Sequence, residues 1–525
     1  MKRSLKILCA LLTGVLVCLS FPTVLFGWHA PEMGWLAWIA LAPLFVALRE
    51  STPRKAFVLT FFSALVWYGC SLYWIFRAMH TFGGLSSFIS VVVLILLTLF
   101  VSTYIAIAPA IASFITRRWR GEFMAWLAVC WTAAEFCRNY LPFNGFPWAN
   151  IAMSQWRHIH LIQIADLVGI YGIIFLIVWT NACIAEVIAS LRGERVRMLA
   201  VKIGITIFLV GACVGYGEYR IGYTKDLVSQ ASPLKIGMVQ GNIPQQMKWA
   251  DDKLMENLNT MRKGSRSLRD AAVDLIIWPE SAFPWPVSTD ATGITPAALG
   301  FDDDELGKLP YLLLGANSEK PNGDYYNSAI LFDAKGVIEG RYHKAHLVPF
   351  GEYVPYKKLF FFARKLTRPV GNFLAGESYE PLVAGSARIG PLVCYEDIFP
   401  ELSRKLVRNG AEFLVNITND AWYGVSSAPY QHMALSVFRA IENRRYLVRA
   451  TNTGVSAIVY PTGKVSMESA IFTPALIVAS VAMLTQITPY TRMGDWFAWA
   501  CLAYVLLGLA ISAVAKYRRS GKHRQ

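Results

Sequence analysis

Three residues in the one extended water-soluble stretch of the chain have side chains suited to covalent acyl transfer. Glu280 lies in WPESAFP, Lys344 in YHKAHLVPFGE and Cys394 in PLVCYED. A thiol attacks as its thiolate, yet a free cysteine is mostly protonated at neutral pH. We expect Glu280 to accept that proton as general base and Lys344 to stabilise the thiolate and a negatively charged tetrahedral intermediate. The sequence thus predicts a cysteine nucleophile with an acid and an amine beside it.

Each of these residues also has a purely structural interpretation. A cysteine at a strand end is commonly a small buried apolar residue. A glutamate or a lysine in a loop is commonly a solvated charge. Residue types and spacing leave both interpretations open, although the neighbours Tyr395 and Glu396 of Cys394, and Glu352 after Lys344, favour chemistry.

Cys394 is the single cysteine of nine that lies outside the long apolar stretches. A disulfide within the soluble region would need a second cysteine there, so the sequence predicts none. His343 and His346 lie close together, but no second pair with ligand spacing accompanies them. The sequence therefore predicts no metal site and no cofactor.

The segment that carries these residues alternates strands and helices. From about Leu234, short apolar runs predict strands in LKIGMVQ, DLIIWPE, YLLLGAN, NSAILFDA, ARIGPLVCYE, EFLVNITN and YLVRATNTG, with helices over 252–270 and 431–445. This pattern is typical of an α/β domain. Cys394 is expected at a strand-to-helix turn, where backbone N–H groups can bind an oxyanion.

The rest of the chain has the composition of an integral membrane protein. Of the 525 residues in the whole chain, 55% are hydrophobic and only 16% are charged. Apolar runs near the roughly 20 residues that cross a bilayer predict eight spans. They lie at residues 7–26, 33–48, 57–79, 88–115, 123–137, 161–191, 199–216 and 495–515. The first run also resembles a signal peptide, but without a small-x-small cleavage site it is predicted to stay uncleaved.

Positive charge predicts the topology. Lys and Arg cluster before span one, after span eight, and in the loops between spans two and three, four and five, and six and seven. Because positively charged loops stay in the cytoplasm, both termini are predicted to be cytoplasmic. The long segment between spans seven and eight is then predicted to face outward. Residues 224–485 contain 27 Lys and Arg against 26 Asp and Glu, a balance of +1, so the rest of the net charge of +15 comes from the membrane regions. This distribution predicts no nucleic-acid partner. Three acidic residues within spans are expected to bond helices together: Glu135, Asp166 and Glu186.

Six motifs extend the interpretation. WPESAFP, HKAHLVPFGEYVP and PLVCYEDIFPEL resemble the Glu, Lys and Cys motifs of the nitrilase, or carbon–nitrogen hydrolase, superfamily. With VQGNIPQQMKW, NITNDAWYG and RAIENRRYLVRATNTG in the same order, nearly the whole chain resembles the apolipoprotein N-acyltransferase family. The resemblance implies an α-helical membrane domain of eight spans plus an α/β nitrilase-like α-β-β-α sandwich. The expected domains are 1–223 with spans one to seven, 224–485 as the catalytic domain, and 486–525 with span eight and a basic tail.

The resemblance also implies roles for individual residues. Cys394 would be the acyl-accepting nucleophile, Glu280 the general base and Lys344 the stabiliser of thiolate and oxyanion. Supporting roles beside the nucleophile would fall to Glu352, Tyr395 and Glu396. Trp249 would line a lipid pocket, with a plain core aromatic as the alternative.

The reaction implied by the resemblance has two steps. An acyl chain passes from a phospholipid to Cys394 as a thioester, then to the α-amino group of the N-terminal diacylglyceryl-cysteine of an apolipoprotein, which completes lipoprotein maturation. The implied setting is the bacterial inner membrane, with the catalytic domain on the periplasmic side. One alternative is a membrane-tethered nitrilase-type amidase that releases its product to water; another is a transporter or receptor whose outward domain only binds.

Overall fold

Long apolar runs give helices in the first 230 residues and at the end of the chain. The computed structural model describes residues 1–25, 27–119, 122–141, 145–190, 196–299, 310–354, 356 and 373–522. The chain divides into two compact units. The first comprises Met1–Ile75, Ser87–Arg220 and Met493–Gln525, and the second comprises Phe76–Ser86 and Ile221–Arg492.

The helices of the apolar regions differ in length. They are Arg3–Leu19, Ala37–Ala40, Ala42–Leu48, Pro53–Ser71, Trp74–Arg77, Ser87–Trp119, Phe123–Tyr140, Ile159–Ile162, Ala165–Ser190, Val196–Gln230 and Trp496–Lys522. Within the described residues, four are long and apolar enough to cross a membrane, or up to five if Pro53–Ser71 and its bent continuation Trp74–Phe82 form one span. The predicted count of eight is not confirmed. The first helix has only 17 residues, and the second predicted span is divided into shorter helices.

Acidic side chains in the apolar helices of the first unit are paired with cations. The pairs are Glu135 with Arg138 at 2.9 Å, Asp166 with Arg220 at 2.7 Å and Glu186 with Lys202 at 2.6 Å. An unpaired carboxylate in an apolar environment would be costly, and each pair removes that cost. Asp166 and Glu186 bond the helix Ala165–Ser190 to the helix Val196–Gln230, as expected. Glu135 pairs with Arg138 of its own helix, so the expectation that it bonds helices together is wrong.

In the described part of the second unit, two sheets are formed by the short strand Val287–Ser288 and by twelve numbered strands. The numbered strands are β1 Pro233–Gln240, β2 Leu275–Ile277, β3 Tyr311–Glu319, β4 Tyr325–Phe332, β5 Ile338–His343, β6 Leu382–Ala384, β7 Ala387–Val393, β8 Phe413–Thr418, β9 Leu447–Thr451, β10 Ala457–Val459, β11 Val465–Ser466 and β12 Ala475–Ala482. The first sheet has the order β12-β1-β2-β3-β4-β5, with the short strand Val287–Ser288 beside β3. The second has the order β11-β10-β9-β8-β7-β6.

The central strands of each sheet are parallel. In the first sheet β1, β2 and β3 run in one direction, and in the second β7, β8 and β9 do so. Residue Val393 at the end of β7 is level with Ile417 near the end of β8, and Thr418 is level with Thr451 at the end of β9. Loops that follow these strands therefore emerge at one edge, which is where sites form in such sheets.

Helices cover both sheets. Leu254–Asp270 packs on β1 and β12, while Pro400–Arg408 and Ala428–Asn443 pack on β7 and β9. Leu258, Met261 and Leu268 recur on one face of the first of these helices and join the apolar core of the first sheet. The two sheets also contact each other, β4 against β7 and β1 against β9, so the layer order is α-β-β-α.

Candidate active site

Cys394 begins the turn that follows strand β7. The strand ends at Val393 and a 3-10 helix, Cys394–Ile398, starts at once. The residue has a φ of +56°, a conformation that non-glycine residues seldom adopt and that is held only where surrounding contacts fix it. One such contact is the side-chain amide of Asn416, which donates to the Cys394 carbonyl at 3.0 Å. The prediction of a sharp strand-to-helix turn at this cysteine is confirmed.

Glu280 follows strand β2, and both of its carboxylate oxygens are fixed. Asn327 donates from its side-chain amide to Oε1 at 2.7 Å, and the backbone N–H of Asn419 donates to Oε2 at 2.9 Å. The side chain is buried. One hydrogen bond from strand β4 and one from the residue after strand β8 therefore hold the carboxylate in one orientation, as a proton acceptor requires.

Lys344 follows strand β5 and extends toward two carboxylates. Its Nζ lies 2.9 Å from Oε1 of Glu352 and 3.9 Å from Oε1 of Glu280, and its side chain is 1% exposed. Burial by itself would lower the pKa of Lys344, but Glu352, then the charge of Cys394 and that of Glu280, raise it above its usual range. The ammonium therefore stays positive at every physiological pH.

Lys344 is kept in its charged form, whereas the surroundings of Cys394 favour the neutral form of its thiol. Burial, and next the negative charge of Glu280, raise its pKa, while Lys344 opposes the rise. The residue is 8% exposed. The thiol is thus protonated at rest, and attack on a carbonyl requires proton transfer to a nearby base. The structure brings Glu280, Lys344 and Cys394 into one electrostatically coupled site.

The two acids named as supporting residues hold the site together. Oε2 of Glu352 accepts from the backbone N–H of Val348 at 2.8 Å, which orients the carboxylate that binds Lys344. Asn327 donates to Glu352 at 3.2 Å as well as to Glu280. The side-chain amide of Asn327 therefore fixes both carboxylates that lie near Lys344.

Glu396 joins the lysine loop to the cysteine turn. Its carboxylate accepts from the backbone N–H groups of Val393 at 2.7 Å, Ala345 at 2.7 Å and His346 at 3.0 Å. The hydroxyl of Tyr342 donates to the same carboxylate at 3.0 Å. Burial raises the pKa of Glu396 to about 7 in spite of these donors. Tyr395 is also buried and packs edge-on against Phe399, with ring centroids 5.0 Å apart.

Trp249 differs from the other candidates because 45% of its surface is exposed. The alternative of a plain core aromatic is therefore wrong. A large exposed indole in the loop next to the site is compatible with contact to a lipid chain, and that role stays a prediction.

Three further residues contact the site and were not expected from the sequence. Asn327 and Asn419 hold Glu280, and the buried Lys248 donates from Nζ to the Glu280 backbone carbonyl at 2.8 Å. A polar residue at a strand end was the available signal for the two asparagines. Lys248 carried none, because a lysine in a loop is commonly a solvated charge.

A second group of buried charges lies behind the cysteine turn. Arg449 donates to Asp397 at 2.6 Å and to Asp420 at 3.0 Å, and the ring nitrogens of His432 contact the same two carboxylates at 2.7 and 3.0 Å. All four side chains are fully buried. Arg449 also donates to Asn416, the residue that binds the Cys394 carbonyl. Within the described residues, no group of three or more His, Cys, Asp or Glu side chains is arranged to hold a metal ion.

Comparison with known proteins identifies the family. Residues 235–488 match the family model described as carbon-nitrogen hydrolase, and residues 13–183 match that of the apolipoprotein N-acyltransferase N-terminal domain. The apolipoprotein N-acyltransferase of Geobacter metallireducens is 39% identical over 99% of this chain and 96% of its own. The chain belongs to the apolipoprotein N-acyltransferase family. It is an acyltransferase enzyme with a carbon–nitrogen hydrolase domain.

Further similar proteins include another relative and two solved structures. The apolipoprotein N-acyltransferase of Nitrosomonas europaea is 31% identical over 92% of this chain and 94% of its own. Among solved structures, an amidase from Nesterenkonia sp. is 21% identical, with a TM-score of 0.35 over 49% of this chain and 94% of its own. The nitrilase-superfamily protein Nit3 of Saccharomyces cerevisiae is 22% identical, with a TM-score of 0.35 over 48% and 90%.

Proposed function

We propose that this member of the family moves an acyl chain from a phospholipid to Cys394 and from there to the α-amino group of a diacylglyceryl-cysteine at the N-terminus of an apolipoprotein. The observation that carries the proposal is a buried, protonated thiol with a fixed carboxylate and a permanent ammonium acting on it. This combination provides a nucleophile, a base and an electrostatic stabiliser in one place.

The first step forms the thioester. Glu280 accepts the thiol proton as the sulfur attacks the ester carbonyl of the phospholipid, and a C–S bond forms. Lys344 stabilises the negative oxygen of the tetrahedral intermediate. The C–O bond then breaks, and the leaving lysophospholipid oxygen takes the proton from Glu280. Proton and electron pairs balance without a cofactor.

The second step transfers the chain to nitrogen. An α-amino group has a reference pKa of about 7.7–8.0, so an appreciable fraction is neutral and nucleophilic at neutral pH. As the amine attacks the thioester carbonyl, Glu280 accepts its proton, the C–N bond forms, and the C–S bond breaks. The thiolate of Cys394 then recovers a proton from Glu280. Exclusion of water by lipid in the cleft would favour the amide over free fatty acid.

The remaining candidates take supporting roles in this scheme. Glu352 keeps Lys344 in place, and Glu396 and Tyr395 fix the turn that presents Cys394. Trp249 contacts the acyl chains of the lipid substrates. Because both substrates are lipids, the partners of the enzyme are the phospholipid donor, the diacylated apolipoprotein and the bilayer itself.

The membrane arrangement that suits these substrates has eight spans. Residues 1–223 contain spans one to seven, residues 224–485 form the catalytic domain on the periplasmic face of the bacterial inner membrane, and residues 486–525 contain span eight and the basic tail. Both termini are cytoplasmic. The clusters of Lys and Arg in alternate loops support this arrangement.

A transfer assay tests the proposal. The full-length protein in mixed micelles receives phospholipid and a synthetic diacylated lipopeptide, and the products are separated by mass. We expect N-acylated lipopeptide from the wild type and from Cys213→Ala, a matched control, and none from Cys394→Ala. Fatty acid release without any N-acylated peptide would instead support the amidase alternative. Full activity in Cys394→Ala would exclude the proposed mechanism.

A further inference from the structure

Lys248 is a buried cation that the proposed reaction has not yet used. Its side chain is 4% exposed, although lysine is seldom buried without a charged partner. Its ammonium donates to the backbone carbonyl of Glu280 at 2.8 Å rather than to a carboxylate. A neutral carbonyl compensates poorly for the desolvation of a full charge, so a structural role alone explains this placement badly.

The segment around Lys248 is fixed to the site from several sides. The side-chain amide of Asn419 donates to Gln245 at 2.8 Å, and the backbone N–H of the same asparagine binds the Glu280 carboxylate. From the neighbouring helix, Asn257 donates to the Met247 carbonyl at 3.0 Å. The loop that carries Lys248 thus holds the general base at its backbone, while Asn419 holds it at its carboxylate.

The charges of the site explain why a second cation is useful. Lys344 contacts two carboxylates, those of Glu280 and Glu352, and neutralises only one of them. Attack by the thiol adds a negative oxygen while its proton moves to Glu280, so the excess negative charge of the site persists through the step. A second positive charge next to Glu280 removes that excess.

We propose that Lys248 is a positioning residue for acyl transfer, which fixes the backbone of Glu280 and supplies the second positive charge that stabilises the thiolate of Cys394. This role in lipid transfer rests on the proposed function, in which an acyl chain passes from a phospholipid to Cys394 and then to an amine. The stabilisation of the thiolate itself does not depend on which acyl donor the enzyme uses.

The ionisation of Lys248 provides a signature. Burial lowers the pKa of Lys248 to about 8, with the charges of Glu280 and Cys394 opposing the shift. Those two are the charges that act on Lys248, while Lys344 pairs with Glu352. From the neighbouring helix, the neutral Asn257 donates to the backbone carbonyl of Lys248. The positive charge is therefore present below about pH 8 and is lost above it.

Alkylation of Cys394 tests the role without any lipid. The full-length protein reacts with iodoacetamide between pH 6 and 10, and the rate at Cys394 is followed by peptide mass spectrometry. We expect Lys248→Met to react about 10- to 100-fold more slowly than wild type below pH 8, with the two rates converging above it. Lys248→Arg keeps a charge that does not titrate in this range, so its advantage over Lys248→Met should persist above pH 8.

Two controls separate charge from folding and from hydrogen bonding. Lys253→Met removes an exposed lysine of the same region and should leave the profile unchanged. Lys248→Gln keeps a donor for the Glu280 carbonyl without a charge, so below pH 8 its rate should lie between those of Lys248→Met and wild type. Equal profiles for wild type and Lys248→Met, or full recovery by Lys248→Gln, would overturn the proposal.

The second measurement is the rate of thioester formation on Cys394 from phospholipid. We expect Lys248→Met to acylate more slowly by a similar factor at pH 7. If the wild type forms no thioester from phospholipid while the alkylation profiles differ as expected, the proposed function fails and the effect of Lys248 on the thiolate stands. If the wild type acylates normally and Lys248→Met matches it in both assays, only the role of Lys248 fails.

Discussion

Two buried groups of charges in the second unit lie close together in the chain and have opposite properties. In the group of Asp397, Asp420, His432 and Arg449, each cation contacts both carboxylates. Burial would raise the pKa of Asp397, but His432 and Arg449 lower it. In the catalytic group the thiol of Cys394 stays protonated because burial and Glu280 raise its pKa. Cations that contact both carboxylates give rigidity, whereas a protonated thiol near a carboxylate leaves a proton to be moved.

The paired group supports the reactive one. Arg449 donates to Asn416, and Asn416 donates to the carbonyl of Cys394, whose φ of +56° needs such support. A change in the paired group is therefore expected to reduce stability first. A change in the catalytic group is expected to reduce the rate first.

The largest effect on rate is expected from Glu280→Gln. Gln cannot accept the thiol proton, so thioester formation should fall about 10²- to 10⁴-fold with little change in thermal unfolding. Single-turnover acylation by phospholipid measures the change, and Glu256→Gln, on an exposed helix face, is the matched control. Acylation near the wild-type rate would show that Glu280 is not the general base. The catalytic group would then not differ from the paired group in its effect on rate.

The largest effect on stability is expected from Arg449→Met. The substitution leaves Asp397 and Asp420 buried with only His432 between them, and breaking such a pair costs about 3–5 kcal/mol. Denaturant unfolding of the full chain in detergent measures it. Arg408→Met, at the exposed end of helix Pro400–Arg408, serves as control. If Arg449→Met unfolds like the wild type, the paired group is not what holds this region.

A smaller effect, on pH dependence, is expected from Glu396→Gln. The pKa of Glu396 is raised from 4.5 to about 7 in the folded protein, so the folded state binds its proton more tightly than the unfolded state. Its contribution to stability is present below about pH 4.5 and is lost as the pH rises through about 7. Unfolding at pH 5 and pH 8 should show this loss in the wild type and not in the Gln variant. Parallel pH profiles for the two proteins would contradict it.

The smallest effect is expected from Trp249→Ala. Because the indole is 45% exposed, its loss should leave stability unchanged and should raise KM for lipid substrates a few-fold at constant kcat. Val383→Ala, a similarly exposed apolar residue of strand β6, is the control. A lower melting temperature, or a change in kcat alone, would argue against contact with lipid.

Part of the fold was predictable from apolar runs, although β12, with the apolar sequence ALIVASVA, was not predicted. All seven predicted strands form, because their residues are buried within the two sheets. Strand β5, with the sequence IEGRYH, was missed because it alternates charged residues near a sheet edge, and β6 has only three residues. The count of eight spans assumed that each apolar run forms one straight helix, whereas 34–48 forms shorter pieces.

The candidate site was predictable only in part. Glu280, Lys344 and Cys394 follow recognisable motifs, but their partners depend on strand register, which brings Asn327 and Asn419 to Glu280 from distant positions in the chain. Trp249 and Lys248 are adjacent in sequence, yet one is exposed and the other buried. Sequence periodicity in a loop contains no signal for that difference.

Mass spectrometry of the purified protein with phospholipid is the decisive test of a thioester on Cys394. We predict an adduct with the mass of one acyl chain on Cys394, which disappears when a diacylated lipopeptide is added and N-acylated peptide accumulates. Absence of any adduct on Cys394, with lipopeptide still being acylated, would contradict a thioester on this cysteine.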